Sequence, residues 1–279
     1  PARQSLIPQI LDRAQVQNGV ILGTMAFMAA LQFGGPSLGG LLADGPGLTT
    51  AFAVEAGLLA AGVAVFSRMR RYTPVASGRS IRAELVEGLR YARRTPMIPG
   101  LMLLAMAPGI FFVGPMQVTM VILVEDVLEA SDKFVGILFG CFGLGVVAGS
   151  LALTFRPTPR RGLLLILSLF HGSAFFILFG MSEVVALSMA IMAVFGLGAA
   201  VFINLAVSLL QENTDPAMMG RVMSMYSLGF IASQPVGLAQ AGVVATIWGP
   251  QAAIVASGIA VGVLATVALA TLTPVRRLN

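Results

Sequence analysis

The chain has 279 residues, of which 57% are hydrophobic and 10% charged, and its mean hydropathy is +0.91. A water-soluble domain carries roughly a quarter charged residues, so the composition excludes a soluble enzyme or binding module and indicates a polytopic membrane protein. The net charge of +5 comes from arginines in short loops between apolar runs, a mark of membrane topology rather than of nucleic-acid binding, and the single cysteine, Cys141, excludes an internal disulfide.

A spanning helix needs about 20 mostly apolar residues. The pattern predicts eight, over about 18–43, 48–67, 97–124, 134–155, 162–181, 184–210, 222–247 and 250–272. The expected fold is an all-α membrane protein with eight transmembrane helices and both termini cytoplasmic. The connections alternate in charge. Sixteen of the 17 basic residues fall on one side, and Lys133 alone falls on the other, with Asp44, Glu125, Asp126, Glu129, Asp132 and Glu183. The positive-inside rule makes the Arg-rich side cytoplasmic.

The first span carries "FGGPSLGG", residues 33–40. Gly35, Gly39 and Gly40 give it a nearly flat face, and Pro36 removes a backbone hydrogen bond and bends it. This suits either plain close packing or a helix pair that rocks. Glu55 lies seven residues into the second span, roughly 10 Å deep at 1.5 Å per residue. An intramembrane carboxyl is a candidate proton-exchange site; the alternative is a carboxyl packed between helices. The connection 68–96 contains "SIRAELVEGLRYARRT", an amphipathic helix with Ile81, Leu85 and Leu89 on one face and Arg82, Arg90, Arg93 and Arg94 around it. It is expected to rest on lipid headgroups or to form a partner site.

In the later spans, Phe111, Phe112, Met116, Met120 and Phe142 suit either a greasy, adaptable pocket or ordinary packing. Gly136, Gly140, Gly145 and Gly149 form a small-residue packing stripe. The overlapping "GLGVVAG" has the wrong spacing and no preceding strand for a dinucleotide site. His171, the lone histidine, is expected to be structural or a switch. Gln32, Gln117, Asn204, Gln234 and Gln240 are uncharged intramembrane groups that can bond a cargo or each other. Gly220 and Arg221 open the seventh span, six residues beyond Asp215 in the case of Arg221. Arg221 is a candidate cytoplasmic gate, contacting an acid or a helix C-terminus, or it snorkels to headgroups. No HExxH, GxSxG or Walker A pattern is present, and one His with one Cys makes no metal set. No enzyme activity, cofactor, metal or nucleic-acid partner is expected. The last pair of spans faintly repeats the first: Pro, then small residues, then a Gly-Pro outer turn, as duplicated transporter folds do.

Three stretches carry a resemblance. "GPSLGG" resembles the Gly-Pro-x-x-Gly-Gly core of the antiporter motif of major facilitator superfamily exporters, with Leu31 and Leu22 where the fuller pattern has glycines. "QENTDPAMMGRVMSMYSLGF" is similar to the loop entering the eleventh helix in the enterobactin-exporter-like, multidrug-efflux-like branch. "GSLALTFRPTPRRG" resembles the basic loop between helices eight and nine. The resemblance covers the chain as helices five to twelve of a twelve-helix bundle, so it implies a fragment or truncated product without the first four helices. It implies that 1–67 ends the N-terminal bundle, 68–96 is the cytoplasmic central loop, and 97–279 is the C-terminal six-helix bundle. It puts Glu55 on a helix peripheral to the cavity and the five amides on helices that line or flank it. The function it implies is proton-coupled export of small amphipathic molecules, of drug or siderophore type, from a bacterial inner membrane by alternating access. The partners are a small-molecule substrate, protons and the bilayer. The alternative is a non-transporting scaffold or partner subunit.

Overall fold

The computed structural model describes Leu42 and residues 47–68, 81–131, 133–155, 159–215, 218–276 and 278. The first predicted span lies almost wholly outside them, and with it Gln32 and the Gly35, Pro36, Gly39, Gly40 motif. Among the described residues every regular element is helical: α1 Leu48–Ser67, α2 Ile81–Arg94, α3 Ile98–Pro108, α4 Gly114–Ile122, α5 Lys133–Phe155, α6 Arg161–Gly180, α7 Val185–Glu212, α8 Met219–Trp248, α9 Pro250–Thr271 and α10 Thr273–Arg276. Seven helical stretches are long and apolar enough to cross a bilayer, and they match the second to eighth predicted spans.

The span over Ile98–Val127 is not one regular helix. Wider π-helical turns, Gly109–Val113 and Leu123–Val127, separate α3 from α4 and close α4. Pro108 and Pro115 flank the first of these turns. A proline inside a helix removes a hydrogen bond and crowds the preceding turn, and a π-turn is a known way to absorb that.

In lipid, helices associate through close packing rather than hydrophobic drive, and glycines mark the closest approaches here. α5 lies along α7, and α6 packs on both α7 and α9. A Cβ on Gly145 or Gly149 would collide with the α7 backbone, and one on Gly196 with the α5 backbone. The predicted stripe is therefore a packing seam at Gly145 and Gly149. The core between these helices is aromatic: Phe112 meets Phe176 and Phe195 edge-on at 5.0 and 5.1 Å between ring centroids, and Phe142 lies 5.4 Å from Phe195. Phe112, Phe142, Met116 and Met120 are all buried in this core, with Phe111 packed against it. Of the two readings of these residues, ordinary packing is the one the structure shows.

The Arg-rich helix ends gather at one end of the bundle. Gly162 N–H at the start of α6 donates to the Leu278 carbonyl at 3.1 Å. Gly100 of α3 lies against Val275 and Leu272. At the opposite end, α8 passes into α9 through Gly249 alone. Gly249 has φ +88°, a region glycine reaches without strain, and Pro250 opens α9.

α1 differs from the rest. It has no extended contact with another described helix, and none of its span is buried.

Candidate functional site

At the Arg-rich end, α2 is drawn onto the start of α8. Among its described side chains, Gly88 and Ala92 are the buried ones. A Cβ on Gly88 would stand 3.2 Å from Met225 Sδ and 3.4 Å from Arg221 Cβ, so the glycine lets the two helices approach closely. Two polar contacts cross this junction. Arg221 Nη1 lies 3.1 Å from Glu87 Oε1, and the Asp215 backbone N–H donates to the Tyr91 hydroxyl at 2.9 Å. Arg221 Nη1 also donates to Met218 Sδ at 3.2 Å. The acid that meets Arg221 therefore comes from the connection 68–96 and not from its own loop. Gly220 is exposed, with open space around it.

Leu89 is exposed, while small Gly88 and Ala92 make the contact. Hydrophobic spacing finds bulky residues, whereas the contact here is set by the absence of bulk. A mid-helix glycine in a strongly helix-forming stretch was the available signal.

A second ion pair on this end escaped the sequence reading. Arg161 Nη1 donates to both carboxylate oxygens of Glu212, at 2.6 and 2.8 Å, and Ser208 Oγ donates to the same carboxylate at 2.9 Å. It joins the start of α6 to the end of α7.

Within the spans the predicted amides separate. Asn204 on α7 donates to Ser150 Oγ of α5 at 3.0 Å and to the Ala200 carbonyl at 2.8 Å, so its amide is committed to helix pairing. Gln240 on α8 donates to Ser257 Oγ of α9 at 3.1 Å. It also lines an open, almost wholly apolar concavity of about 660 Å³ with Pro235, Val236, Ala239, Val243 and Val244. Gln117 is exposed on α4, and Gln234 is half-buried on α8. Among the described residues, Gln117, Asn204, Gln234 and Gln240 do not line one common pocket. Behind this strip α8 meets the proline-flanked span at its tightest crossing. A Cβ on Gly114 would lie 2.5 Å from the Gly237 carbonyl carbon, and one on Gly237 would collide with the Ile110 backbone.

Glu55 is exposed on α1, and no described helix packs extensively on that element. His171 is a structural residue. Its Nε2 lies 2.8 Å from the Val194 carbonyl oxygen; a carbonyl only accepts, so Nε2 carries the proton. Its ring stacks at 4.5 Å on Phe175 and fills the space over Gly198.

Comparison with known proteins bears on this arrangement. A family model described as Major Facilitator Superfamily matches residues 1–230. The chain is 27% identical over 194 residues to the enterobactin exporter EntS of Shigella flexneri, covering 69% of this chain and 45% of that protein. It is 26% identical over 194 residues to EntS of Escherichia coli O1:K1, covering 69% of this chain and 46% of that protein. The chain thus spans about half the length of the curated relatives it matches.

Proposed function

The chain belongs to the Major Facilitator Superfamily and is a multi-pass protein of the bacterial inner membrane, and from that premise we propose that it serves export of a small amphipathic solute in exchange for protons. The Arg-rich helix ends face the cytoplasm, and transport proceeds by alternating access between helix bundles. The observation that carries the reading is the concavity on α8. It is an open aliphatic face of one helix to which Gln240 supplies one amide. A greasy strip with one hydrogen-bonding group suits a solute that is mostly apolar with a polar edge. The likeness to enterobactin exporters supports the outward direction and a siderophore- or drug-like size of cargo. Gln117 and Gln234 are the further candidate contacts. In this reading Arg221, with Gly220 beside it, forms the cytoplasmic gate, and Glu87 is its partner.

Glu55 is the proposed proton-exchange group. It is a carboxyl well inside an apolar span, where an ionised group is costly, by about 2.5–3.5 kcal/mol on insertion scales. Glu55→Gln keeps the shape and removes the exchangeable proton. Export should lose its dependence on external pH in this variant, and an unchanged pH profile would remove Glu55 from the coupling path.

The exporter reading is tested in cells by loading a lipophilic fluorescent dye and following its loss with and without a protonophore. Dye loss that depends on the protein and stops with the protonophore supports export. Loss that is the same with and without expression favours a non-transporting membrane component.

A further inference from the structure

We propose that the outer face of α2 is a binding site for anionic phospholipid headgroups of the cytoplasmic leaflet. α2 has a packed side and an exposed side. One carries Gly88, Ala92, Tyr91 and Glu87, and it is committed to α8 and its preceding loop. The other carries Leu89, Arg90, Arg93 and Arg94, all exposed, around a shallow concavity of about 340 Å³. At 100° per residue Arg90, Arg93 and Arg94 fall on the side away from Gly88 and Ala92, roughly 120–180° from their midpoint, and Leu89 lies on the flank between the two sides. Among the described residues no ion pair occupies the three arginines.

The depth of this face is set by the chain itself. α2 ends at Arg94 and the spanning helix α3 begins at Ile98. The link stays turned: Thr95 N–H donates to the Tyr91 carbonyl at 3.2 Å, and Ile98 N–H to the Thr95 carbonyl at 3.1 Å. Even fully extended, four residues reach no more than about 14 Å. Arg93 and Arg94 therefore stand at the level of the headgroups, where arginines meet phosphates. Leu89 beside them supplies an apolar anchor, the pattern of a helix lying in the interface. Three guanidiniums favour an anionic phosphodiester over a zwitterionic headgroup. A lipid held there would fix the outer side of the same helix whose inner side carries Glu87 and Tyr91.

The site rests on the cytoplasmic orientation proposed above, and the test is arranged to separate the two. The natively expressed protein is placed in nanodiscs of phosphatidylethanolamine with or without phosphatidylglycerol, so both leaflets offer both lipids whatever the orientation. Retained lipid is counted by native mass spectrometry. The parent should keep phosphatidylglycerol in preference. The triple variant Arg90→Gln, Arg93→Gln, Arg94→Gln should lose that preference by on the order of a hundredfold at low salt. The corresponding triple Lys variant should keep most of it, because it keeps the charge. Equal retention by parent and Gln variant would overturn the site. As a second readout, a photo-cross-linker replacing Leu89 in cells should form adducts of phospholipid mass. Adducts to protein would assign the face to a protein contact and overturn the lipid site. Cysteine labelling from either side of the membrane reads the orientation separately.

Discussion

Gly237→Val should lower the stability of the folded bundle by roughly 3 kcal/mol, the upper end of what overpacking costs. The reason is local. Helix α8 crosses the proline-flanked span with backbone against backbone: the Gly237 position has the Ile110 carbonyl carbon at 2.9 Å and the Gly109 oxygen at 3.0 Å from where a Cβ would stand. Real side chains do not tolerate such approaches to backbone, so the two helices must move apart. In lipid their attraction is van der Waals contact, which falls steeply with separation. Gly114→Val should behave the same way, because its Cβ would meet the Gly237 backbone. Gly242→Val is the control one turn further along α8. Nothing lies within 4 Å of its Cβ position, so its stability should stay within about 0.5 kcal/mol of the parent. Thermal unfolding in detergent, followed by size-exclusion chromatography with fluorescence detection, measures all three.

Arg221→Glu should reduce protonophore-sensitive export about tenfold, with a much smaller effect on thermal stability. The side chains of Arg221 and Glu87 are 25% and 41% exposed, so solvent screens the pair and its removal costs at most about 1 kcal/mol of stability. Reversing the charge should do more to the proposed gate than deleting it, because two carboxylates then face each other across the α2–α8 junction and repel. The double variant Arg221→Glu, Glu87→Arg restores the attraction with the partners exchanged. It should recover most of the export, whereas Glu87→Arg alone should resemble the single Arg221 variant. Recovery in the double variant separates a specific contact from a general need for positive charge at this end. A double variant no better than either single would remove the gate.

Much of the architecture was legible because bilayer thickness imposes a long apolar period on the chain. The spans from 48 to 272 fall where the hydropathy placed them. The small-xxx-small spacing at Gly145 and Gly149 also reported a true seam. Hydropathy could not report how helices sit against each other. Met116, Met120, Phe112 and Phe142 have the same composition whether they line a pocket or fill a core; they fill a core. The break in the span at Gly109–Val113 follows from Pro108 and Pro115, which the apolar run conceals. The candidate site was read in pieces. The sequence offers Arg221 an acid, a helix C-terminus or the headgroups as its contact, but not Glu87, 134 positions upstream and beyond the reach of any local spacing rule. The Arg161–Glu212 pair spans 51 positions, also beyond any local spacing rule. Asn204 is expected from the sequence to bond a cargo or another amide; in the folded bundle it donates to Ser150, a partner no spacing rule points to.

Transport by the purified, natively expressed protein in sealed proteoliposomes bears most directly on the proposed export. A fluorescent amphipathic dye is loaded, a proton gradient is imposed across the bilayer, and dye movement is followed with the gradient intact and after it is collapsed. Dye should move against the direction of proton flow, and only while the gradient lasts. Dye movement that is identical in protein-free vesicles, or unchanged when the gradient is collapsed, would contradict a proton-coupled exporter.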